Sequence, residues 1–267
     1  MVKKSVFLGS VFACALSLTG AVSAAQVSTD GSTSMEKVVG ILAEAYHAAH
    51  PNVTVTYNPT GSGAGIAAAM QARTDIGLSS RKLKEQEAET LTAHVLAHDG
   101  IVVVVNKANP VKSLTMEEIG ALYRGEVTNW KALGGEDRPV VLIGREAGSG
   151  TRDGFESVLK IAGKARYRQE LTSTGDVLTM VSTNPNAVGY ASLSALNKRV
   201  KALQVGGVTA TKLTVQDGSY KLSRPFLMVV KKDAELSADA KAFLAWALSA
   251  ESDALKERAG VIPEKRN

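Results

Sequence analysis

The chain has 267 residues, 45% of them hydrophobic and 21% charged, with a formal net charge of +5. That length supports one large domain or two lobes with separate cores, and the mild positive charge is compatible with an anionic ligand without demanding one. With Cys14 the only cysteine, an intramolecular disulfide is excluded.

In chain order, the first feature is a leader. Met1-Val2-Lys3-Lys4, an apolar run from Val6 to Leu18 and the small residues Ala21-Val22-Ser23-Ala24 read as the basic, apolar and cleavage regions of a secretory signal peptide. Cys14 lies in that run, where Val11-Phe12-Ala13-Cys14 resembles a lipidation box, but Phe12 suits one poorly and the run continues past it. Cleavage is expected after Ala24, delivering a periplasmic protein of 243 residues without thiol chemistry. Loss of Lys3 and Lys4 lowers the formal charge from +5 to +3. No later segment has the length and purity of a membrane-spanning helix.

The first predicted helix has Thr33 as cap and Glu36 three residues later as capping-box partner. Met35, Val38, Val39, Leu42 and Tyr46 form one apolar stripe, and Pro51 closes the helix. Residues 53–57 read as a strand, and Gly61-Ser62-Gly63-Ala64-Gly65 then opens a second helix using Ile66, Ala69 and Met70. A further helix is predicted over 82–92, before apolar strands at 94–105 and 140–143. A third hydroxyl-rich turn, Ser149-Gly150-Thr151, opens a helix carrying Phe155, Val158 and Leu159, and strands follow at 187–190 and 224–230. Such alternation predicts an α/β architecture with largely parallel, buried strands.

Turns of Gly with Ser or Thr thus precede three helices. Ser, Thr and Gly are ordinary capping residues, so any one turn is unremarkable. Three together predict a common purpose. A helix N-terminus presents unpaired N–H groups and a partial positive charge, hydroxyls add neutral donors, and glycine lets the backbone come close. Several such ends around one arginine fork, for which Arg145 is the candidate, would hold an oxyanion.

Rival chemistries lack their residues. A nucleotide-phosphate loop requires Lys directly before its final Ser or Thr, and Gly144-Arg145-Glu146-Ala147-Gly148-Ser149-Gly150-Thr151 has none. Ser149 has glycine immediately on both sides, not the Gly-x-Ser-x-Gly frame of a hydrolase. His47 and His50, and His94 and His98, form pairs without an accompanying Cys or carboxylate cluster, so no metal is expected. Gly61-Ser62-Gly63-Ala64-Gly65-Ile66 has Ile66 where a dinucleotide fingerprint needs its third glycine. No cofactor is expected.

The ordered segments GSTSM (31–35), NPTGSGAGI (58–66), TDIGLSSRKL (74–83), HDGIVVVVNKANPV (98–111), VTNWKALGG (127–135), GREAGSGTRDGFE (144–156) and NAVGYASL (186–193) resemble the PstS-type phosphate-binding proteins of bacterial ABC importers, within the type II periplasmic binding proteins. The resemblance implies a two-lobed α/β fold with two crossing hinge strands and a ligand cleft between the lobes. Lobe 1 is expected to comprise 25–103 plus 222–267, and lobe 2 104–221. It further implies inorganic phosphate as ligand and membrane permease subunits as partners, for a monomer that binds no nucleic acid and catalyses nothing. The implied phosphate-binding residues are Ser32, Thr33, Ser34, Ser62, Ser80, Arg145, Ser149, Gly150 and Thr151, with Arg81 as a second cation. A binding protein for another tetrahedral oxyanion, such as sulfate, and a secreted phosphatase are the alternatives.

Two departures matter. Some members carry an aspartate at the position of Ser80 that accepts the proton of hydrogen phosphate, and another at the position of Ala147 that braces the arginine. Glu146, Asp75 and Asp99 are the candidates for reading a ligand proton, which discriminates phosphate from sulfate. Each also has a structural reading: Asp75 and Asp99 as turn or cap residues, and Glu146 pointing to solvent or paired with Arg152.

Overall fold

The structure is a computed structural model that describes residues 25–266; the predicted leader, with its cleavage point, lies outside the described residues. The first half alternates β1 (Ala25–Gly31), α1 (Glu36–Ala49), β2 (Val53–Asn58), α2 (Ser62–Met70), β3 (Ile76–Ser79) and α3 (Glu85–Thr90) before the long β4 (Leu91–Asn106). The middle adds β5 (Ser113–Leu114), α4 (Met116–Arg124), β6 (Val141–Arg145), α5 (Gly150–Leu159), β7 (Gln169–Leu171), α6 (Thr174–Thr183) and β8 (Ala187–Ser192). After β9 (Val200–Ala202), β10 (Gln204–Val205) and α7 (Lys212–Gln216), β11 (Ser223–Lys231) leads to α8 (Ala238–Leu248), α9 (Asp253–Ala259) and β12 (Ile262–Pro263).

The main sheet runs β2-β1-β3-β11-β4-β8-β6-β7, with β9 and β12 also pairing β4, while β5 and β10 form a separate pair. It is parallel at both flanks, where β1 pairs β2 and β3, and β6 pairs β7 and β8. The centre departs from the parallel arrangement the sequence suggests: β11 runs antiparallel to β3 and β4, and β4 antiparallel to β8. The cause is β4 itself. At about 3.3 Å per residue, its 16 residues span about 50 Å, long enough to serve two sheets.

Residues 91–100 of β4 pair with β11, and residues 101–105 pair with β8. The hydrophobic cores change at the same place. One core joins Val27, Leu42, Leu78 and Ala97 to Phe226 and Phe243, whereas Ile101, Val103 and Val105 pack with Tyr123, Phe155 and Tyr190. Val102 and Val104 face a third cluster with Val177 and Val181. Burial on both faces at a period of two explains the unbroken apolar run there. The return crossing lies at Leu222, whose carbonyl accepts the Ile101 N–H at 2.7 Å. Two lobes are therefore joined through β4 and the entry to β11.

The α1 stripe of Met35, Val38, Val39, Leu42 and Tyr46 is buried as its spacing predicts. Its N-terminus differs. Residues 33–35 form a 3-10 turn with no side-chain cap, because the Thr33 hydroxyl turns toward the other lobe instead of closing a capping box with Glu36. The helix predicted over 82–92 is confined to Glu85–Thr90, and Leu91 onward is drawn into β4 by pairing with β11.

Candidate functional site

Four helical N-termini meet between the lobes. One lobe contributes the 3-10 turn at Thr33 and Ser34, leading into α1, and the start of α2 at Ser62; the other contributes α5 at Gly150 and α6 at Thr174. The first N–H groups of a helix lack partners within it and carry the positive end of its dipole.

Their hydroxyls interlock across the cleft. Ser34 Oγ lies 2.8 Å from Thr151 Oγ1 and 3.0 Å from Thr174 Oγ1, and Thr33 Oγ1 lies 3.4 Å from Thr174 Oγ1. Ser62 Oγ lies 3.2 Å from Ser80 Oγ and accepts the Ser80 N–H at 3.0 Å. Gly150 is wedged against the second group: a Cβ on it would lie 2.7 Å from Ser80 Oγ and 2.9 Å from Ser62 Cβ. Buried hydroxyls that bond mainly to one another can rotate their O–H donors toward an oxyanion, so the cluster has the donors that seating one requires. Ser149, also buried, caps α5 by accepting the Arg152 N–H at 3.3 Å, which leaves its own O–H able to donate. Ser32 is buried beside the cluster; its carbonyl accepts the Tyr57 hydroxyl at 2.8 Å and its N–H donates to Leu78 O at 2.9 Å.

Arg145 ends β6 beneath these hydroxyls, 2% exposed. Its Nε donates to Leu171 O at 3.0 Å, and Nη2 donates to Thr172 O at 2.9 Å and to Glu146 Oε1 at 3.0 Å. Nη1 donates to Thr174 Oγ1 at 3.3 Å and is the end presented to the cluster. Three acceptors on one edge of a planar guanidinium fix which edge faces inward. Glu146 is thus the brace that Ala147 cannot be. It pairs with Arg145, not with Arg152, whose Nε donates to Glu156 at 2.8 Å. Adjacent Gly148 adopts φ +89°, a left-handed conformation glycine holds without strain, and its carbonyl accepts the Gly63 N–H of the other lobe at 2.8 Å.

The other candidates go elsewhere. Arg81 does not bring its guanidinium to the cluster: Nη1 and Nη2 bond both oxygens of Glu87, and Nε lies 2.9 Å from Asp153 Oδ2 of the opposite lobe, a close charge contact without hydrogen-bond alignment. Asp75 is structural, accepting the Ser28 N–H and hydroxyl at 2.7 Å each. Asp99 is fully buried, accepting the Ser192 hydroxyl at 2.8 Å, the Ser194 N–H at 3.2 Å and Arg224 Nη2 at 3.2 Å. Burial pushes its carboxyl above the usual range, against the pull of Arg224 and these donors. Among the described residues, no carboxylate hydrogen-bonds the interlocked hydroxyls directly.

Sequence reasoning missed two members of the group. Thr174 follows Ser173, which caps α6 by accepting the Asp176 N–H at 3.0 Å; Thr172-Ser173-Thr174-Gly175 repeats the hydroxyl-and-glycine composition of the other turns and was the available signal. Arg224 Nη1 donates to Thr151 Oγ1 at 2.7 Å. Its signal was a charge opening an otherwise apolar strand. A cleft of about 380 Å³ borders the cluster along Thr33, Ser34, Lys37, Thr174 and Asn197. Among the described residues, no group of three or more His, Cys, Asp or Glu is placed to hold a metal, and no helix is long and apolar enough to cross a membrane.

A sequence profile of the PBP superfamily domain matches residues 19–251. The phosphate-binding protein PstS of Staphylococcus haemolyticus is 30% identical over 222 residues, covering 76% of this chain and 70% of that one. The chain belongs to the PstS family of the PBP superfamily. PstS of Borreliella burgdorferi is 28% identical over 222 residues, with 78% and 80% of the two chains covered. Among solved structures, a phosphate ABC transporter substrate-binding protein from Clostridium perfringens with bound phosphate is 40% identical, with a TM-score of 0.87 over 90% of this chain and all of that one. An ABC-type phosphate transport receptor from Vibrio cholerae is 36% identical, with a TM-score of 0.74 over 89% of this chain and all of that one. The PstS family and its two-lobed fold agree with the resemblance carried by the sequence motifs.

Proposed function

We propose that this chain captures inorganic phosphate outside the cytoplasm, between its lobes, and delivers it to the permease subunits of an ABC importer. The observation that carries the reading is the convergence of four helical N-termini, interlocked hydroxyls and the braced Nη1 of Arg145 on one buried spot between two lobes. Thr33, Ser34, Ser62, Ser80, Arg145, Ser149, Gly150 and Thr151 supply the proposed ligand contacts, and Ser32 fixes the turn that aims the first two. An anion touched by both lobes binds the closed form better than the open one, so it drives closure about the crossings near residues 100–103 and 222. No covalent step is included: Ser149 Oγ is a helix cap, and among the described residues no base is hydrogen-bonded to it. Calorimetry should detect phosphate binding at low-micromolar concentration or tighter, and p-nitrophenyl phosphate should persist unhydrolysed. Failure to bind phosphate would overturn the proposal.

The hydroxyl cluster favours a particular selectivity. A hydroxyl lone pair accepts the proton of hydrogen phosphate, but a hydroxyl does not repel an unprotonated oxygen as a carboxylate does. Sulfate is therefore expected to bind measurably in the same calorimetric series, more weakly than phosphate. Complete rejection of sulfate would mean that an acceptor outside this cluster reads the ligand proton.

Closure has a second contributor remote from the ligand. Arg81 and Asp153 form an ion pair between the lobes with Arg81 only 8% exposed, so the closed form gains a contact the open form lacks. Asp153→Asn is expected to raise the phosphate off-rate and weaken affinity by roughly 2- to 5-fold, the scale of a partly exposed pair. Stopped-flow release measurements check this, with an unchanged off-rate as the opposing result.

A further inference from the structure

We propose that Arg224 is a second anion-directed arginine of this site, placing a positive charge beneath the ligand from the crossing strands themselves; the inference rests on the phosphate-binding reading above. Arg224 and Asp99 are direct cross-strand partners where β11 and β4 pass between the lobes. Both are buried, Arg224 at 4% and Asp99 at 0% exposure. The pair joins the two lobes, because Asp99 also accepts from Ser192 and Ser194 while Arg224 donates to Thr151.

A simple hinge tether would be expected to satisfy its own arginine. Asp99 is engaged by three donors and takes only Nη2 of Arg224, at 3.2 Å, without the two-pronged geometry that best matches a carboxylate. Among the described residues, Nε has no hydrogen-bond partner. Nη1 points the other way, to Thr151 Oγ1 at 2.7 Å and toward Ser80 O at 3.5 Å, two residues of the proposed seat. A buried guanidinium stays charged in proteins and has five donors, so one so short of acceptors is costly until a negative charge comes close.

Arg145 and Arg224 therefore bracket the same hydroxyls. Arg145 Nη1 reaches them through Thr174, and Arg224 Nη1 through Thr151, with Ser34 Oγ linking the two threonines. By donating to Thr151, Arg224 occupies the hydroxyl's lone pair and turns its O–H toward the anion. Each arginine has its own carboxylate, Glu146 or Asp99, on the side away from the cluster. The site thereby offers two positive ends to the ligand without burying a net charge when empty.

The test separates this role from a structural one. Arg224→Gln alone would leave Asp99 buried without its cation, so the decisive variant is Arg224→Gln/Asp99→Asn, which replaces the ion pair by two neutral amides able to bond each other. We expect it to melt near the wild-type temperature and to bind phosphate about 30-fold or more weakly by calorimetry. Arg224→Lys supplies an independent reading, because lysine keeps a charge for Asp99 but withdraws the fork from Thr151: weakened binding with unchanged melting supports the proposal even if the double variant does not fold. Wild-type affinity in either folded variant overturns it and leaves the phosphate reading standing. Wild-type protein that takes up no phosphate overturns both.

Discussion

Arg145→Met is expected to weaken phosphate binding by about 100-fold or more while the circular dichroism spectrum stays that of the parent protein. Removing one partner of a buried, hydrogen-bonded charge contact costs about 2–5 kcal/mol, which converts to roughly 30- to 4,000-fold in affinity. The fold is expected to survive because the groups left behind are not all buried charges. Glu146, the brace, is 30% exposed and can return to water, whereas Leu171 O and Thr172 O lose donors at about 1–3 kcal/mol in total stability. For a chain of this size that lowers the melting temperature by several degrees without unfolding the protein at 25 °C. Methionine fills the stem of the arginine, so the packing above Tyr190, whose hydroxyl accepts the Arg145 N–H at 3.1 Å, is retained. Calorimetry with phosphate, alongside thermal melting, checks both halves. Undiminished affinity in a folded variant would place the anion elsewhere.

The contrast between Arg145 and Arg224 shows what the sequence could and could not reveal. Arg145 stands just ahead of a Gly-Ser-Gly-Thr turn that opens a helix, separated from it only by Glu146 and Ala147, and every part of that signal is local: a strand end, a donor-rich turn and a helix dipole within a dozen residues. Arg224 reaches the same hydroxyls through the register of two strands whose paired residues, Asp99 and Arg224, lie 125 positions apart. No local pattern encodes that register. The capping box expected at Thr33 and Glu36 failed for the same kind of reason, since a hydroxyl that satisfies a helix end also satisfies a partner in another lobe, and only the tertiary arrangement decides between them. Arg81 illustrates the reverse: beside Ser79 and Ser80 in sequence, it turns away because Glu87, six residues on, presents both carboxylate oxygens to its fork. The apolar stripes, the strands near 53–57, 94–105, 140–143, 187–190 and 224–230 and the α/β class depend on period and composition, and these were legible, whereas β1, β3 and β7 were not among the strands expected. The antiparallel centre of the sheet was not legible either, because it follows from β4 serving both lobes.

Gly150→Ala should act on closure and not on folding. Gly150 is the first residue of α5 and its φ is not positive, so its backbone suits an L-residue, and alanine favours a helix over glycine by about 1 kcal/mol. The three atoms nearest to a Cβ there all belong to the first lobe. The closed molecule would not accept the methyl group: the new Cβ would stand 2.7 Å from Ser80 Oγ and 2.9 Å from Ser62 Cβ, and closer still to Ser62 Oγ. Rotating the serine hydroxyls relieves the oxygen contacts but leaves Ser62 Cβ in place, on the first turn of α2, so the lobes must part. Forcing a methyl group into such a gap costs about 1–3 kcal/mol, all of it on the closed state, which lowers apparent affinity roughly 5- to 150-fold. Small-angle scattering supplies the distinguishing measurement. Phosphate should compact the wild-type protein, whereas Gly150→Ala should remain expanded at phosphate concentrations that saturate the parent, with a melting temperature equal to or above it. A variant that compacts and binds like wild type would show that the lobes do not approach this closely around the anion, and the seat would then be built from one lobe alone.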